Sequence, residues 1–394
     1  MLKFFIKALL LGFIFSPLSL MAQENSPKDH DNLLFVLYDT GEVNAFNPVM
    51  DTLTERGIPY KIFAFGKAHE LLKDNPNMVD LVQTCKLSSS LSDLKREDVP
   101  NNQDIRALAS CVSPKTVISS MASKLQGVLL TLFKTRNAYT IAYYDNFDSV
   151  LEKDYVKPFL ETSPLVDEYI LPSTTTKDGF EILFKDSRHP PKFSILGQPS
   201  LESWQKVHQS IDLMDLRKKL NLSEKSRPVI LFAGGYDDTY EPYIRLFIRT
   251  LKNLPVLGYI TPHPKTDGSL ERRVFEEEGS PKNIRIFTKE EQTSGFSTLN
   301  LSTLSKALVC HKSTVCTQAL AVGIPAIYLA GKDDYTNFTI IGGISNQAET
   351  QKEFEALIMD LLSPQKKSPP SLEKLGIPKN ATENITNHLI EIKP

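Results

Sequence analysis

A chain of 394 residues is too long for one ordinary domain and suits two. With 41% hydrophobic and 23% charged residues it has the material for real cores. A net charge of -2 and a pI near 6.4 exclude the basic footprint of a nucleic-acid-binding protein, and the short run Arg217-Lys218-Lys219 reads as a solvated helix face.

The first 22 residues have the pattern of a secretory signal. Lys3 and Lys7 flank the start, Ala8 to Leu20 is apolar, and Ala22 supplies a small residue ahead of Gln23. Export to a periplasmic or secreted location after cleavage at Ala22 is expected, with an uncleaved membrane anchor through residues 4–20 as the alternative. Four cysteines leave two readings open: buried thiols, or a Cys85–Cys111 bridge in an oxidising compartment.

Leu33 to Tyr38 is a run of strand length. Asp39-Thr40-Gly41-Glu42 then turns into a helix from about Asn44 to Arg56, Gly57 and Pro59 stop it, and Tyr60 to Phe65 resumes as a strand. Such a βαβ unit predicts a parallel sheet with helices on its faces. Further strands are expected at Thr116 to Ile118 and Tyr139 to Tyr144. The interval from Thr174 to Ser194, with its Pro190-Pro191 pair, reads as connecting structure. A second βα array follows, with strands at Pro228 to Ala233, Leu257 to Thr261, Ile284 to Phe287, Ala307 to Val309 and Ala326 to Leu329. The predicted division is a signal over 1–22, a first Rossmann-like domain over 31–195, a second over 200–362, and a linker with a final helix over 363–394.

The stretch Leu308 to Leu329 carries the clearest chemical pattern. A buried strand ends near Cys310, the polar turn His311-Lys312-Ser313-Thr314 leads into a short helix, and Gly323 closes it. A strand that turns through small hydroxyl residues into a helix directs backbone N–H groups and the positive end of a dipole at the turn, where an anion can sit. Gln318 lies four residues after Thr314, on the same helix face.

Taken in order, Gly41-Glu42-Val43-Asn44-Ala45 with Pro48, Gly197-Gln198-Pro199, His263-Pro264-Lys265, and Ser313-Thr314 with Gln318, Gly323 and Pro325 resemble the GT-B glycosyltransferase superfamily. Within that superfamily the chain resembles the Kdo transferases, lipid-A-disaccharide synthase, UDP-N-acetylglucosamine 2-epimerase relatives and capsule or polyglycerol-phosphate transferases. The resemblance implies an α/β fold of two Rossmann-like domains facing across a cleft, and metal-independent sugar transfer in surface polysaccharide or glycolipid synthesis. No cofactor is implied beyond the nucleotide-sugar donor substrate. The partners are that donor and a glycan or lipid acceptor, with peripheral membrane contact and oligomeric state left open.

Glu42 is the expected general base, since attack on an anomeric carbon requires deprotonation of the acceptor hydroxyl; its bland alternative is a carboxylate favouring the helix dipole. His263 and Lys265 at a strand end would neutralise the leaving phosphate. Gly234, Gly235, Ser313, Thr314 and Gln318 are the expected donor-binding residues, although Asp237 and Asp238 beside the glycines sit awkwardly with a diphosphate. Many relatives carry Glu where this chain has Gln318. Tyr144 and Asp145 are placed by position on the acceptor side. Export conflicts with a cytoplasmic nucleotide sugar, so the second reading is an exported, non-catalytic glycan- or nucleotide-binding protein using the same cleft.

Overall fold

In a computed structural model, the protein is described over residues 33–392 other than 224, 225, 236, 238, 265 and 364–370. The expected signal segment therefore lies outside the described residues. The described residues form a single unit built on two six-stranded sheets.

The first sheet contains β1 (Leu33–Leu37), β2 (Lys61–Ala64), β3 (Thr116–Ser120), β4 (Tyr139–Tyr143), β5 (Glu168–Leu171) and β6 (Lys192–Ile195), in the order β2-β1-β3-β4-β5-β6. Every pairing is parallel. β1 and β3 are buried at all five residues, the mark of a strand covered by helices on both faces. The second sheet contains β7 (Val229–Ala233), β8 (Leu257–Thr261), β9 (Ile284–Ile286), β10 (Ser305–Cys310), β11 (Ala326–Leu329) and β12 (Asn346–Ala348). It too is parallel throughout, and read from β9 its order is β9-β8-β7-β10-β11-β12, the dinucleotide-binding arrangement. The chain reverses direction across each sheet between β1 and β3, and between β7 and β10. At such switch points the loops diverge and leave a crevice at the carboxyl ends of the strands.

The helix Thr40–Glu55 starts earlier than its apolar pattern indicates because Asp39 caps it, accepting from the Gly41 and Glu42 N–H groups. Its buried stripe, Val43, Phe46, Val49, Met50 and Leu53, packs on the first sheet, leaving Asn44, Asn47 and Pro48 on another face. Pro48 lacks the N–H that would bond the Asn44 carbonyl, so an acceptor is left on that face.

The interval read as connecting structure contains the helix Thr174–Leu183 and the edge strand β6. Ser173 starts that helix by accepting from the Thr176 N–H, and three successive threonines with Gly179 hide its periodicity. β6 is only four residues long and none of them is fully buried, so it lacks the apolar run that marks a central strand.

The second sheet leads back to the first through the helix Ala381–Glu391, a strap that places Ile385 and Leu389 in the core around the Thr40–Glu55 helix. His388 Nε2 lies 3.0 Å from the buried Glu168 carboxylate, which also accepts from Tyr139, Ser194 and Lys192. Burial raises the Glu168 carboxyl, but these donors bring it down to about 2. The crossing point Gly197 has φ 94°, and a Cβ there would stand 2.8 Å from the Ala381 methyl. Glycine is therefore required both by the backbone angle and by the strap.

Both cysteine pairs are bridged. Cys85–Cys111 ties a turn to the helix Asn102–Cys111, and Cys310–Cys316 spans the polar turn after β10. Among the described residues no helix is long and apolar enough to cross a membrane.

Candidate active site

A cleft of about 950 Å³ opens between the carboxyl edges of the two sheets. The first sheet contributes Gly41, Asn44, Asn47, Pro48 and Asp51 from its opening helix, and Asp145 to Asp148 from the turn after β4. The second contributes Lys312, Ser313, Thr314, Thr317 and Gln318 after β10, with Asp334 to Phe338 after β11. Gln198 and the helix Pro199–Ser210 form the back wall, with Ser200, Glu202 and Trp204 on the cleft. Phe147 of the first half stacks on Phe338 of the second, centroids 4.7 Å apart at 21°, so the two walls meet at an apolar contact.

Asp145 is the carboxylate best placed for chemistry. Its Oδ1 accepts from the Tyr155 hydroxyl at 2.8 Å, and its backbone carbonyl accepts from Gln198 Nε2 at 2.6 Å. Its Oδ2 lies 3.0 Å from where a Cβ on residue 41 would be, so the carboxylate rests on the first turn of the opening helix only because Gly41 has no side chain. Burial, with the negative charge of Asp39 nearby, pushes its carboxyl up to about 6 against the lowering effect of the Tyr155 hydrogen bond. A carboxyl in that range takes and releases a proton near neutral pH.

Glu42 does not face the cleft. Side chains in a helix lean toward its N-terminus, and that of Glu42 turns inward beneath the β1 turn. It is fully buried there, with Oε2 accepting from the Tyr38 N–H at 2.6 Å and from Gln126 Nε2 at 2.9 Å. Oε1 is buried with no hydrogen-bond partner. Burial, followed by the like charges of Asp39 and Asp145, raises its carboxyl well above the carboxylate range. Gln126 also donates to the Val36 carbonyl and accepts from Ser123, so the Glu42–Gln126 pair fills the β1/β3 switch point from inside. The expected cleft-facing base thus lies inside the first half at the switch point, away from the cleft lining.

Tyr144 is likewise in the core. Its ring packs on Tyr155 and Phe180, and its hydroxyl donates to the Asp148 carbonyl, so it does not line the acceptor wall. Gly234 and Gly235 are buried outside the cleft. A Cβ on Gly234 would stand 2.8 Å from the His263 N–H, and one on Gly235 would stand 2.8 Å from the Tyr240 ring. Close packing of the β7 turn explains both glycines without a phosphate. His263 stands beyond the end of β8 and is not among the cleft-lining residues, and Lys265 lies outside the described residues.

Ser313, Thr314 and Gln318 do meet on the cleft. Ser313 Oγ accepts from the Val315 N–H at 3.3 Å, which leaves its proton available as a donor. Lys312 has φ 47°, a left-handed backbone that costs a non-glycine residue about 1 kcal/mol. The Cys310–Cys316 bridge encloses this turn. The sequence pattern found Asp145 only by position. Gln198 was marked only as part of the Gly197-Gln198-Pro199 motif, without a role, and nothing in the sequence marked Tyr155 or Asp334 to Phe338, which come to the site by tertiary contact.

No protein-family model and no curated protein matches the chain. Among solved structures it is similar to the UDP-GlcNAc 2-epimerase of Neisseria meningitidis bound to UDP-GlcNAc, with a TM-score of 0.62, 13% identity, and coverage of 92% of this chain and 100% of that one. A putative UDP-N-acetylglucosamine 2-epimerase of Listeria monocytogenes gives a TM-score of 0.65 at 12% identity, covering 92% of this chain and 98% of that one. MurG of Acinetobacter baumannii gives 0.59 at 12% identity, covering 92% and 100%. With two parallel α/β halves facing across a cleft, as in these structures, the chain has the GT-B fold.

Proposed function

We propose that the protein binds a nucleotide sugar, by preference a UDP-sugar, in the cleft between its sheets and transfers the sugar to an acceptor hydroxyl. The observation that carries this reading is that one cleft is lined by a carboxylate poised near neutrality, Asp145, on one wall, and by the hydroxyl and amide donors of Ser313, Thr314 and Gln318 on the other. Similar structures bound to UDP-GlcNAc support a donor of that class.

In this reading Lys312, Ser313 and Thr314 hold the diphosphate, and Gln318 hydrogen-bonds the ribose. Asn44, Asn47 and Asp51 along the opening helix present amide and carboxylate groups to the acceptor. The acceptor oxygen bonds to the anomeric carbon as its proton passes to Asp145. The bond from that carbon to the diphosphate oxygen breaks, and the nucleoside diphosphate leaves with the electron pair. Attack from the face opposite the leaving group inverts the anomeric centre. Exported, the enzyme would use a nucleotide sugar delivered outside.

Thermal-shift measurements against UDP-, CMP-, GDP- and CDP-sugars test donor binding. A UDP-sugar should raise the midpoint of the wild type. Ser313→Ala should weaken that binding about tenfold or more, the usual cost of a lost hydrogen bond to a charged group. No shift with any of the four classes would exclude the donor assignment.

A further inference from the structure

Between β2 and the helix Asn102–Cys111 the chain runs through an irregular segment, residues 86–101, whose two ends are joined by the Cys85–Cys111 bridge. It crosses the carboxyl edge of the first sheet and is tied down beyond three neighbouring strands in turn. The Leu91 carbonyl accepts from the Gly66 N–H, beyond β2, at 3.1 Å, and the Leu94 carbonyl accepts from the Tyr38 hydroxyl, beyond β1, at 3.1 Å. The Arg96 carbonyl then accepts from the Lys124 N–H, beyond β3, at 2.8 Å. Leu91 and Leu94 also pack on the core beneath. Because β2, β1 and β3 are adjacent in that order, these anchors carry Arg96 to the β1/β3 switch point.

Three carboxyl groups crowd that point. The charges of Asp39 and Asp145 both raise Glu42, and that of Asp39 raises Asp145. Arg96 faces this group: its Nη2 lies 3.7 Å from Asp39 Oδ2, and its guanidinium carbon stands 5.7 Å from the centre of the Tyr155 ring. A guanidinium is always charged and its plane suits an aromatic face. Tyr155 in turn donates its hydroxyl to Asp145. Arg96 therefore touches both the anion that opposes ionisation of Asp145 and the ring that orients it. It does not line the cleft, so any effect on the site passes through these two neighbours. The remaining titratable groups near Asp145 are Tyr143 on β4, Glu202 on the back wall, and Lys153, whose charge is already paired with Asp148 at 2.6 Å.

We propose that Arg96 is a positioning residue for Asp145: it offsets the charge of Asp39 and braces the Tyr155 ring, so that the Asp145 carboxylate is held ionised and aimed into the cleft. The inference rests on the reading of Asp145 as the base of sugar transfer. It adds that the base is completed by a residue from outside the cleft, delivered by a segment whose ends the Cys85–Cys111 bridge fixes. The charge of Arg96 works in the same direction as the Tyr155 hydrogen bond, both lowering an Asp145 carboxyl that burial has pushed up to about 6.

Carboxyl NMR titration of protein labelled on aspartate, with the Asp145 signal identified by its loss in Asp145→Asn, tests this without a substrate. Arg96→Gln removes the charge and should move the Asp145 midpoint to higher pH than in the wild type. Tyr155→Phe, which removes the donor, should move it the same way, and Arg96→Lys, which keeps the charge, should return it most of the way. An unmoved midpoint in Arg96→Gln overturns the proposal, as does an equal rise in Arg96→Gln and Arg96→Lys, which would mark a packing role alone. Calorimetry with UDP-GlcNAc on the same proteins separates the two readings. A raised midpoint in Arg96→Gln with no UDP-GlcNAc binding in any protein would uphold the hold of Arg96 on Asp145 and overturn the donor assignment. Equal UDP-GlcNAc binding in the wild type and Arg96→Gln, with the midpoint unmoved, would uphold the donor and overturn the positioning role.

Discussion

Asp145→Asn should lower turnover by about 10²- to 10⁴-fold, the usual contribution of a positioned general base, while leaving UDP-sugar binding near the wild-type level. Asn keeps the acceptor for the Tyr155 hydroxyl and the volume that Gly41 accommodates, so the cleft should hold its shape. A base acts in its ionised form, so wild-type kcat/KM should rise with pH through an apparent value of about 6 and that limb should be absent from the variant. Stability should move the other way. Because the folded-state value is raised above that of an unfolded aspartate, the favourable contribution of the neutral form is present at low pH and is lost as pH rises through about 6. At pH 8 the Asn variant should therefore be more stable than the wild type by about 3 kcal/mol, with the difference vanishing below about pH 3. Denaturant titrations at the two pH values measure it. A variant that turns over normally, or loses turnover only through loss of donor binding, would remove Asp145 from the chemistry.

Glu42→Ala should cost about 2–4 kcal/mol of stability, through the buried Tyr38 N–H and the Gln126 amide it leaves without an acceptor. Glu42→Gln should cost far less and retain turnover, because a carboxyl and a carboxamide have nearly the same shape and Oε1 has no hydrogen-bond partner to lose. With the folded-state value raised, the stability that Glu42 supplies is full below the unfolded value and falls as pH rises toward the folded one. The Gln variant should accordingly gain on the wild type with increasing pH. Comparing the two variants by unfolding and by steady-state rates separates a structural carboxyl from a base. Loss of turnover in Glu42→Gln with unchanged stability would restore it to the mechanism.

The sequence made the fold legible wherever a strand was apolar on both faces, as at β1 and β7, because such runs have no other use in an α/β chain. It was mute at β6 and β12, edge strands with no continuous apolar run, and at β5, which opens on the charged Glu168. The Ser313 turn was legible because strand, hydroxyl residues and helix follow each other locally. Glu42 and Asp145 show where local reading stops. Both are acidic residues in turns at the carboxyl edge of the same sheet, yet one side chain points inward to Gln126 and the other outward over Gly41. That choice depends on the position of Gln126, 84 residues away, and of Tyr155, neither of which a local motif encodes. The glycines after β7 were misleading for a related reason. Their turn does require glycine, but the close neighbours are His263 and Tyr240 rather than a ligand.

Hydrogen–deuterium exchange of the wild-type protein with and without saturating UDP-GlcNAc tests the cleft assignment most directly. Slowed exchange is expected in the turn and helix at 312–318 and in the opening helix around 41–48, with the buried strands unchanged. Binding that protects neither segment, or protects only a surface remote from both sheets' carboxyl edges, would contradict a nucleotide-sugar site in this cleft.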